Sequence, residues 1–243
     1  VATEPGISVI GCFRWGSFIL WYGSRCGMRA TGWEPPDSTP FGELRDRRAN
    51  DILGLPGDVV LTTDLDRALE IHYPGLTINH PWLTLASWVG GDMDGNPNVN
   101  AKTIRATLAR QRSLILDLYY RECATISAKL SQSTDSATFG QGMLDKIDEY
   151  RSIFPNAYHA VPARHRDMPY RVFLRLVQAR LQSTYDDDIY PYENVDELTA
   201  DIELIAESLT FNKGQNAGLF VVKRLLRRIR TFGFHMVTLD VRQ

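Results

Sequence analysis

The 243-residue sequence is poor in cysteine, in net charge and in long apolar runs, and each shortage excludes something. Only three cysteines occur (Cys12, Cys26 and Cys123), and no C-x-x-C is among them. That speaks against a disulfide framework and against a thiolate metal site, and makes a reducing cytoplasm the expected compartment. A formal net charge of −2 gives no general attraction to nucleic acid or to an anionic membrane. The apolar and aromatic stretch at residues 7–23 is interrupted by Arg14 and is short for a membrane span. No basic segment followed by a small-residue cleavage site introduces it, so no signal peptide is read. H-E-x-x-H and G-x-S-x-G are also absent. What remains is an ordinary globular composition, long enough for one large domain or two small ones with a real core. The chain starts at Val1 and stops within an apolar, strand-like run, as an internal piece of a longer protein would.

The first 58 residues differ in character from the rest, with nine of the 18 glycines and three of the five tryptophans. Gly11, Gly16, Gly23, Gly27 and Gly32 allow neither a helical nor a strand period to be sustained there. From about Val59 the pattern is orderly and helical. Residues 61–72 predict a short helix stopped by Pro74-Gly75. Asn100 is placed to cap a long helix to about Ser131, with a stripe of Ile104, Leu108, Ile115, Tyr119, Ile126 and Leu130. A polar loop leads to a helix at residues 143–154, and Pro169 suits the first turn of another carrying Phe173, Val177 and Leu181. Leu198, Ile202, Ile205 and Leu209 mark a further helix ended by Lys213-Gly214, and Leu219, Val222, Leu226 and Ile229 one more closed by Gly233. Buried strands are expected at residues 83–89 and 236–241. The fold class is then mainly α with a few short parallel strands.

The loop after the first of those strands is the most distinctive stretch of the chain. It reads Gly90-Gly91-Asp92-Met93-Asp94-Gly95-Asn96-Pro97. Glycines at the end of a strand let the backbone approach a ligand closely. Three readings are open. Asp92 and Asp94 can cap the following N–H groups of a tight structural turn. Asp92, Asp94 and Asn96 also have the spacing of the first three ligands of a calcium loop, but that loop then needs a glycine where Pro97 stands and a glutamate where Thr103 stands. The third reading is a substrate loop.

The whole run Ser87-Trp88-Val89-Gly90-Gly91-Asp92-Met93-Asp94-Gly95-Asn96-Pro97 resembles the substrate-site loop of the phosphoenolpyruvate carboxylase family, in which G-G-D-R-D-G-N-P is usual. Two further elements resemble that family in the right order: Pro169-Tyr170-Arg171 with Gln178-Ala179-Arg180-Leu181, and Phe232-Gly233 followed by Leu239-Asp240-Val241-Arg242-Gln243. The resemblance covers about residues 59–243; residues 1–58 form an unmatched segment, irregular or read from a shifted frame or a damaged gene, with an authentic lineage-specific insertion as the alternative. It implies a partial, helix-rich (β/α) TIM-type barrel and part of a lyase that forms oxaloacetate and phosphate from phosphoenolpyruvate and bicarbonate. It further implies a Mg²⁺ cofactor, a homotetrameric parent and a cytoplasmic location; the near-neutral charge adds the expectation of no nucleic-acid or membrane partner.

Site residues follow by the same resemblance. Gly90, Gly91, Asp92, Met93, Asp94, Gly95 and Asn96 form the substrate-binding loop, and Asp240, Arg242 and Gln243 an active-site strand end. The family's catalytic histidine and lysine and its metal ligands are expected outside this chain. None of His72, His80, His159, His165 and His235 lies in the family's T-A-H-P-T-E context, and His165, between Arg164 and Arg166, reads as a surface residue. Met93 takes the place of an arginine that grips phosphate, a loss worth ~3–6 kcal/mol at roughly 1.5–3 per charged hydrogen bond. The chain alone is therefore expected to be inactive. A degenerate, non-catalytic homologue serving as a subunit or binding partner is the alternative. Lys223, Arg224, Arg227, Arg228 and Arg230 form a basic cluster, but Leu225, Leu226 and Ile229 interleave it, as on the solvated face of an amphipathic helix.

Overall fold

The computed structural model describes residues 11–15, 18–22, 71–72 and 84–241. Two compact units divide the chain: residues 1–111 with 236–243, and residues 112–235. No helix among the described residues is long and apolar enough to cross a membrane.

In the first unit, β1 (Gly11–Trp15), β2 (Phe18–Tyr22), β3 (Thr84–Ser87) and β4 (Thr238–Leu239) form one sheet in the order β2-β1-β3-β4. β1 and β2 pair antiparallel from Gly11↔Tyr22 to Trp15↔Phe18. This corrects the expectation that no strand period survives in the first 58 residues. The overlooked signal is the two-residue link Gly16-Ser17 between apolar runs, a pairing typical of hairpins. β1 also pairs antiparallel with β3, while β3 and β4 are parallel. The sheet is thus mixed, not a set of parallel strands alone. Of the helix predicted at residues 61–72, only Ile71 and His72 lie within the described residues, and both are helical.

The expected strand at residues 236–241 shrinks to two residues. Met236 takes φ 65°, outside the extended region, so pairing begins only at Thr238. Burial holds only for the first part of that segment: Met236 and Val237 are buried, while Thr238, Asp240 and Val241 are exposed. At the other strand, Val89 is exposed in a turn beyond the last paired residue.

The long helix α1 (Ala101–Lys129) begins where Asn100 predicts. The Asn100 Oδ1 accepts from the N–H groups of Lys102 (3.0 Å) and Thr103 (3.3 Å), which satisfies donors that a helix start leaves open. The stripe is misplaced at this end. Leu108 is 44% exposed, while Thr107 and Gln111 are each 7% exposed and occupy the inward face. Farther along, Ile115, Tyr119, Ile126 and Leu130 are buried as expected.

The second unit packs the rest of α1 with α2 (Gln141–Ile153), α3 (Pro155–His159), α4 (Pro169–Asp186), α5 (Val195–Phe211) and α6 (Leu219–Phe232). Pro169 sits in the first turn of α4, and Phe173, Val177 and Leu181 are buried. Asn194 caps α5, its Oδ1 accepting from Glu197 N–H at 3.1 Å. The four apolar positions predicted on α5 and the four on α6 are all buried.

α1 and α4 seal each other's ends. Arg171, near the start of α4, donates from Nε to Leu130 O (3.0 Å) and from Nη2 to Ala128 O (3.2 Å). Arg112 donates from Nη2 to Thr184 O (2.9 Å), in the last turn of α4. Both guanidiniums sit on helix C-terminal carbonyls, where cations are favoured. Midway, Gln178 Nε2 donates to Tyr120 O at 3.0 Å. The segment Pro169-Tyr170-Arg171…Arg180 thus acts as a staple between helices. His165 Nε2 lies 2.7 Å from Arg171 Nη1 and so serves as an acceptor there.

The basic cluster on α6 is a solvated face only in part: Lys223 and Arg230 are exposed, whereas Arg228 turns inward. Arg228 donates to Glu122 Oε1 at 2.9 Å, Arg224 to Glu122 Oε2 at 3.3 Å, and Arg230 pairs with Glu203. Arg228 is 9% exposed. Glutamates far away in sequence neutralise these arginines, which local periodicity cannot register. Beside them, the buried Tyr119 hydroxyl donates to Gly233 O at 2.8 Å and fixes the end of α6 on α1. Burial pushes the Cys123 thiol up to about 12, so it stays protonated and serves as packing, not as a nucleophile.

Candidate functional site at the carboxyl ends of two parallel strands

β3 leads directly into the glycine loop. The Trp88 carbonyl accepts from both Gly91 N–H (2.9 Å) and Asp92 N–H (3.1 Å), closing a turn through Gly90 at φ 85°. That value is routine only for glycine. Gly95, at φ 66°, makes a second bend, and Asn96 N–H donates to Met93 O at 3.2 Å. The Asn96 side chain then accepts from Asn98 N–H at 3.1 Å. Thr103, in the first turn of α1, returns a bond from Oγ1 to Asn98 O at 2.8 Å. The loop is therefore anchored at both ends, in the sheet and in the helix cap.

Parallel pairing brings the second sequence motif to the same place. Ala86 pairs with Thr238 and Ser87 with Leu239, and Asp240 N–H donates to Ser87 O at 2.8 Å. A Cβ at Gly91 would lie 2.7 Å from Asp240 O and 3.1 Å from Leu239 Cγ. Segments about 150 positions apart thus touch where both strands end at their carboxyl side. In parallel α/β sheets that is where ligands are bound. Gly91→Ala is expected to force β3 and β4 apart at a cost of about 1–3 kcal/mol. Faster amide exchange at Asp240 in the variant would show it.

The side chains divide unevenly. Met93 is half-buried, and Asp94, Gly95 and Asn96 are exposed. Asp92 Oδ1 is buried and has no hydrogen-bond partner among the described residues. The side-chain cap within this loop comes from Asn96, not from the two aspartates. A buried carboxylate oxygen without a donor costs about 1–3 kcal/mol or more, so a donor arriving there is favoured. Asp240 is exposed. Arg242 and Gln243 lie outside the described residues. Among the described residues, no three His, Cys, Asp or Glu side chains converge on a point that could hold a metal ion. These residues do not by themselves fit a Mg²⁺ site.

The glycine loop and the Asp240 strand end thus meet at the carboxyl edge of two paired parallel strands. The family described as phosphoenolpyruvate carboxylase matches residues 59–243. The phosphoenolpyruvate carboxylase of Xanthomonas euvesicatoria pv. vesicatoria (strain 85-10) is 45% identical over 217 residues, covering 87% of this chain and 24% of that protein. This share of the chain is larger than residues 59–243 alone make up. The counterpart from Xanthomonas oryzae pv. oryzae (strain MAFF 311018) is 45% identical over 184 residues, 76% of this chain and 20% of its own length. One from Prochlorococcus marinus subsp. pastoris is 29% identical over 205 residues, 74% of this chain and 20% of its own length. The chain belongs to the phosphoenolpyruvate carboxylase family. It spans about a quarter of the length of the curated relatives it matches, or less.

Proposed function

We propose that this chain carries part of the substrate site of a cytoplasmic lyase that makes oxaloacetate and phosphate from phosphoenolpyruvate and bicarbonate. In that reaction bicarbonate attacks the phosphoryl group and breaks the P–O bond, giving carboxyphosphate and the enolate of pyruvate. Carboxyphosphate then splits into phosphate and CO₂, which the enolate captures. Mg²⁺ belongs to the parent enzyme in this reading, and the described residues of this chain do not supply its ligands. The parent enzyme is a homotetramer with a TIM-type barrel, in which β3 and β4 are neighbouring strands. One observation carries this reading: the loop at residues 90–96 and the strand end at Asp240, both family motifs, meet at the carboxyl edge of paired parallel strands.

Within this chain, the loop's work is to bind and orient. Gly90 and Gly91 let the base of the loop pack closely against Thr107 and the Asp240 strand end, and Asn96 holds the turn. Arg242 and Gln243, just past Asp240 in sequence, belong to the same site in this reading. The chain alone does not catalyse, because the histidine and lysine of the family pattern are not part of it. Met93 favours a second reading, a non-catalytic homologue acting as a subunit or binding partner, since it withholds the cation the phosphate needs.

Titration of the isotope-labelled chain with phosphoenolpyruvate tests the assignment. Amide shifts confined to residues 90–96 and to Asp240 are the expected result. Shifts scattered over the second unit, or none even at millimolar ligand, would count against it.

A further inference from the structure

The inward face of α1 is wrong for a helix that only packs. Its apolar candidate Leu108 points outward, and the polar Thr107 and Gln111, one turn apart, take the buried positions. Local rules fail in this way mainly at functional or strained sites. Thr107 stands against the site loop. A Cβ built on Gly90 would lie 2.2 Å from Thr107 Oγ1 and 3.1 Å from both its Cβ and its Cγ2. The hydroxyl therefore fills the space that Gly90 leaves empty. On the other flank, Gly91 is closed off by Asp240 O and the Leu239 side chain. The two glycines are held between a helix and a strand end, and residues 92–96 leave from that grip toward solvent.

We propose that Thr107 is a positioning residue: its hydroxyl, packed on Gly90, sets the direction in which the 91–96 loop leaves the sheet. This rests on the reading of that loop as the substrate loop. Size and shape decide the effect. A threonine on a helix has few side-chain rotamers, so Oγ1 is a stiff stop. A hydroxyl is smaller than a methyl group, and it is the hydroxyl that faces Gly90 at the shortest approach. Valine would put a methyl in its place with the same branching. Serine would keep the hydroxyl and lose only the other branch. The contact bears on the Gly91 and Asp92 N–H groups, which share the Trp88 carbonyl at 2.9 and 3.1 Å and are the first bonds to loosen when Gly90 is displaced.

The test is amide hydrogen exchange on the full 243-residue chain, comparing Thr107→Val and Thr107→Ser with the parent. Thr107→Val should speed exchange at Gly91 and Asp92 by about tenfold or more, equivalent to ~1.4 kcal/mol, while the α1 amides keep their rates. Thr107→Ser should restore Gly91 and Asp92 to within about threefold of the parent. The proposal is overturned if valine leaves those two amides unchanged. It is equally overturned if serine speeds them as much as valine does, or if valine speeds α1 and the loop alike. Added phosphoenolpyruvate probes the substrate assignment separately. Loop shifts seen in the parent and the serine variant but lost in the valine variant are expected. Absence of shifts in all three contradicts the substrate assignment, while the exchange rates still decide the role of Thr107.

Discussion

Met93→Arg is expected to raise the affinity of this chain for phosphoenolpyruvate by on the order of 10²–10⁴. A bidentate guanidinium supplies two charge-assisted hydrogen bonds of roughly 1.5–3 kcal/mol each, and ~1.4 kcal/mol is a factor of ten. The position suits such a gain. Met93 lies between Asp92 and Asp94, so the loop as it stands presents two carboxylates and no cation of its own to an anion. Its backbone carbonyl, not its side chain, accepts from Asn96 at 3.2 Å, so the turn does not depend on what residue 93 carries. The substitution therefore changes the chemistry of the loop more than its shape. Met93→Lys supplies charge without the planar fork and should recover less. Calorimetric titration of the three chains is the check. The order arginine, lysine, methionine supports the phosphate-loop reading. An arginine variant no better than the parent would leave that reading without its chemical basis.

Asp201→Ala is expected to destabilise the second unit by about 3–5 kcal/mol, because it breaks a buried charged network and strands its partners. Asp201 is 2% exposed and accepts at Oδ2 from the hydroxyls of Tyr150 (2.8 Å) and Tyr192 (2.6 Å). Arg180 donates to the Tyr150 hydroxyl at 2.6 Å, lies 4.1 Å from the centre of the Tyr192 ring and pairs with Glu197. Removing the carboxylate leaves two tyrosine hydroxyls facing a cavity. Asparagine keeps an acceptor and should cost far less. A pH dependence follows as well. Burial holds the Asp201 carboxyl above the ordinary carboxylate range, with the two tyrosine hydroxyls and Arg180 pulling it partly back. A group raised in the folded state stabilises fully below its unfolded pKa and loses that contribution as pH rises through the folded value. Urea titrations should thus show stability from Asp201 falling as pH climbs out of the ordinary carboxylate range, and Asp201→Asn should lose that fall. A parent and variant with parallel pH profiles would place the network outside the titrating groups.

Features set by neighbours in sequence are legible. The Asn100 cap, the entry of α4 at Pro169 and the stop at Gly233 each depend on one residue and the turn beside it, and the stripes of α4, α5 and α6 on a single helical period. Features set by distant residues are not. Thr107 faces inward against Gly90 in place of Leu108, and nothing local to α1 records that. Glu122, about a hundred positions away, turns Arg224 and Arg228 from a solvated face into ion pairs. The β1–β2 hairpin is hidden because its glycines suggest irregular chain, although the Gly16-Ser17 link is a usable signal. The expected span of β4 is too long because an apolar, β-branched pattern says nothing of the positive φ at Met236. For the site, both motifs are readable by resemblance and in order. That they touch requires the parallel register of β3 and β4.

The whole site rests on that register, and cross-strand nuclear Overhauser effects read it without an intermediary. In the isotope-labelled chain, the Asp240 amide should show contacts to Ser87 and Gly91, and the Leu239 side chain should contact Gly91. The Asp240 amide should also exchange slowly, as a donor to Ser87 O does. Contacts displaced by one residue along β4, or none between the two segments, would contradict the meeting of the two motifs and the site built on it.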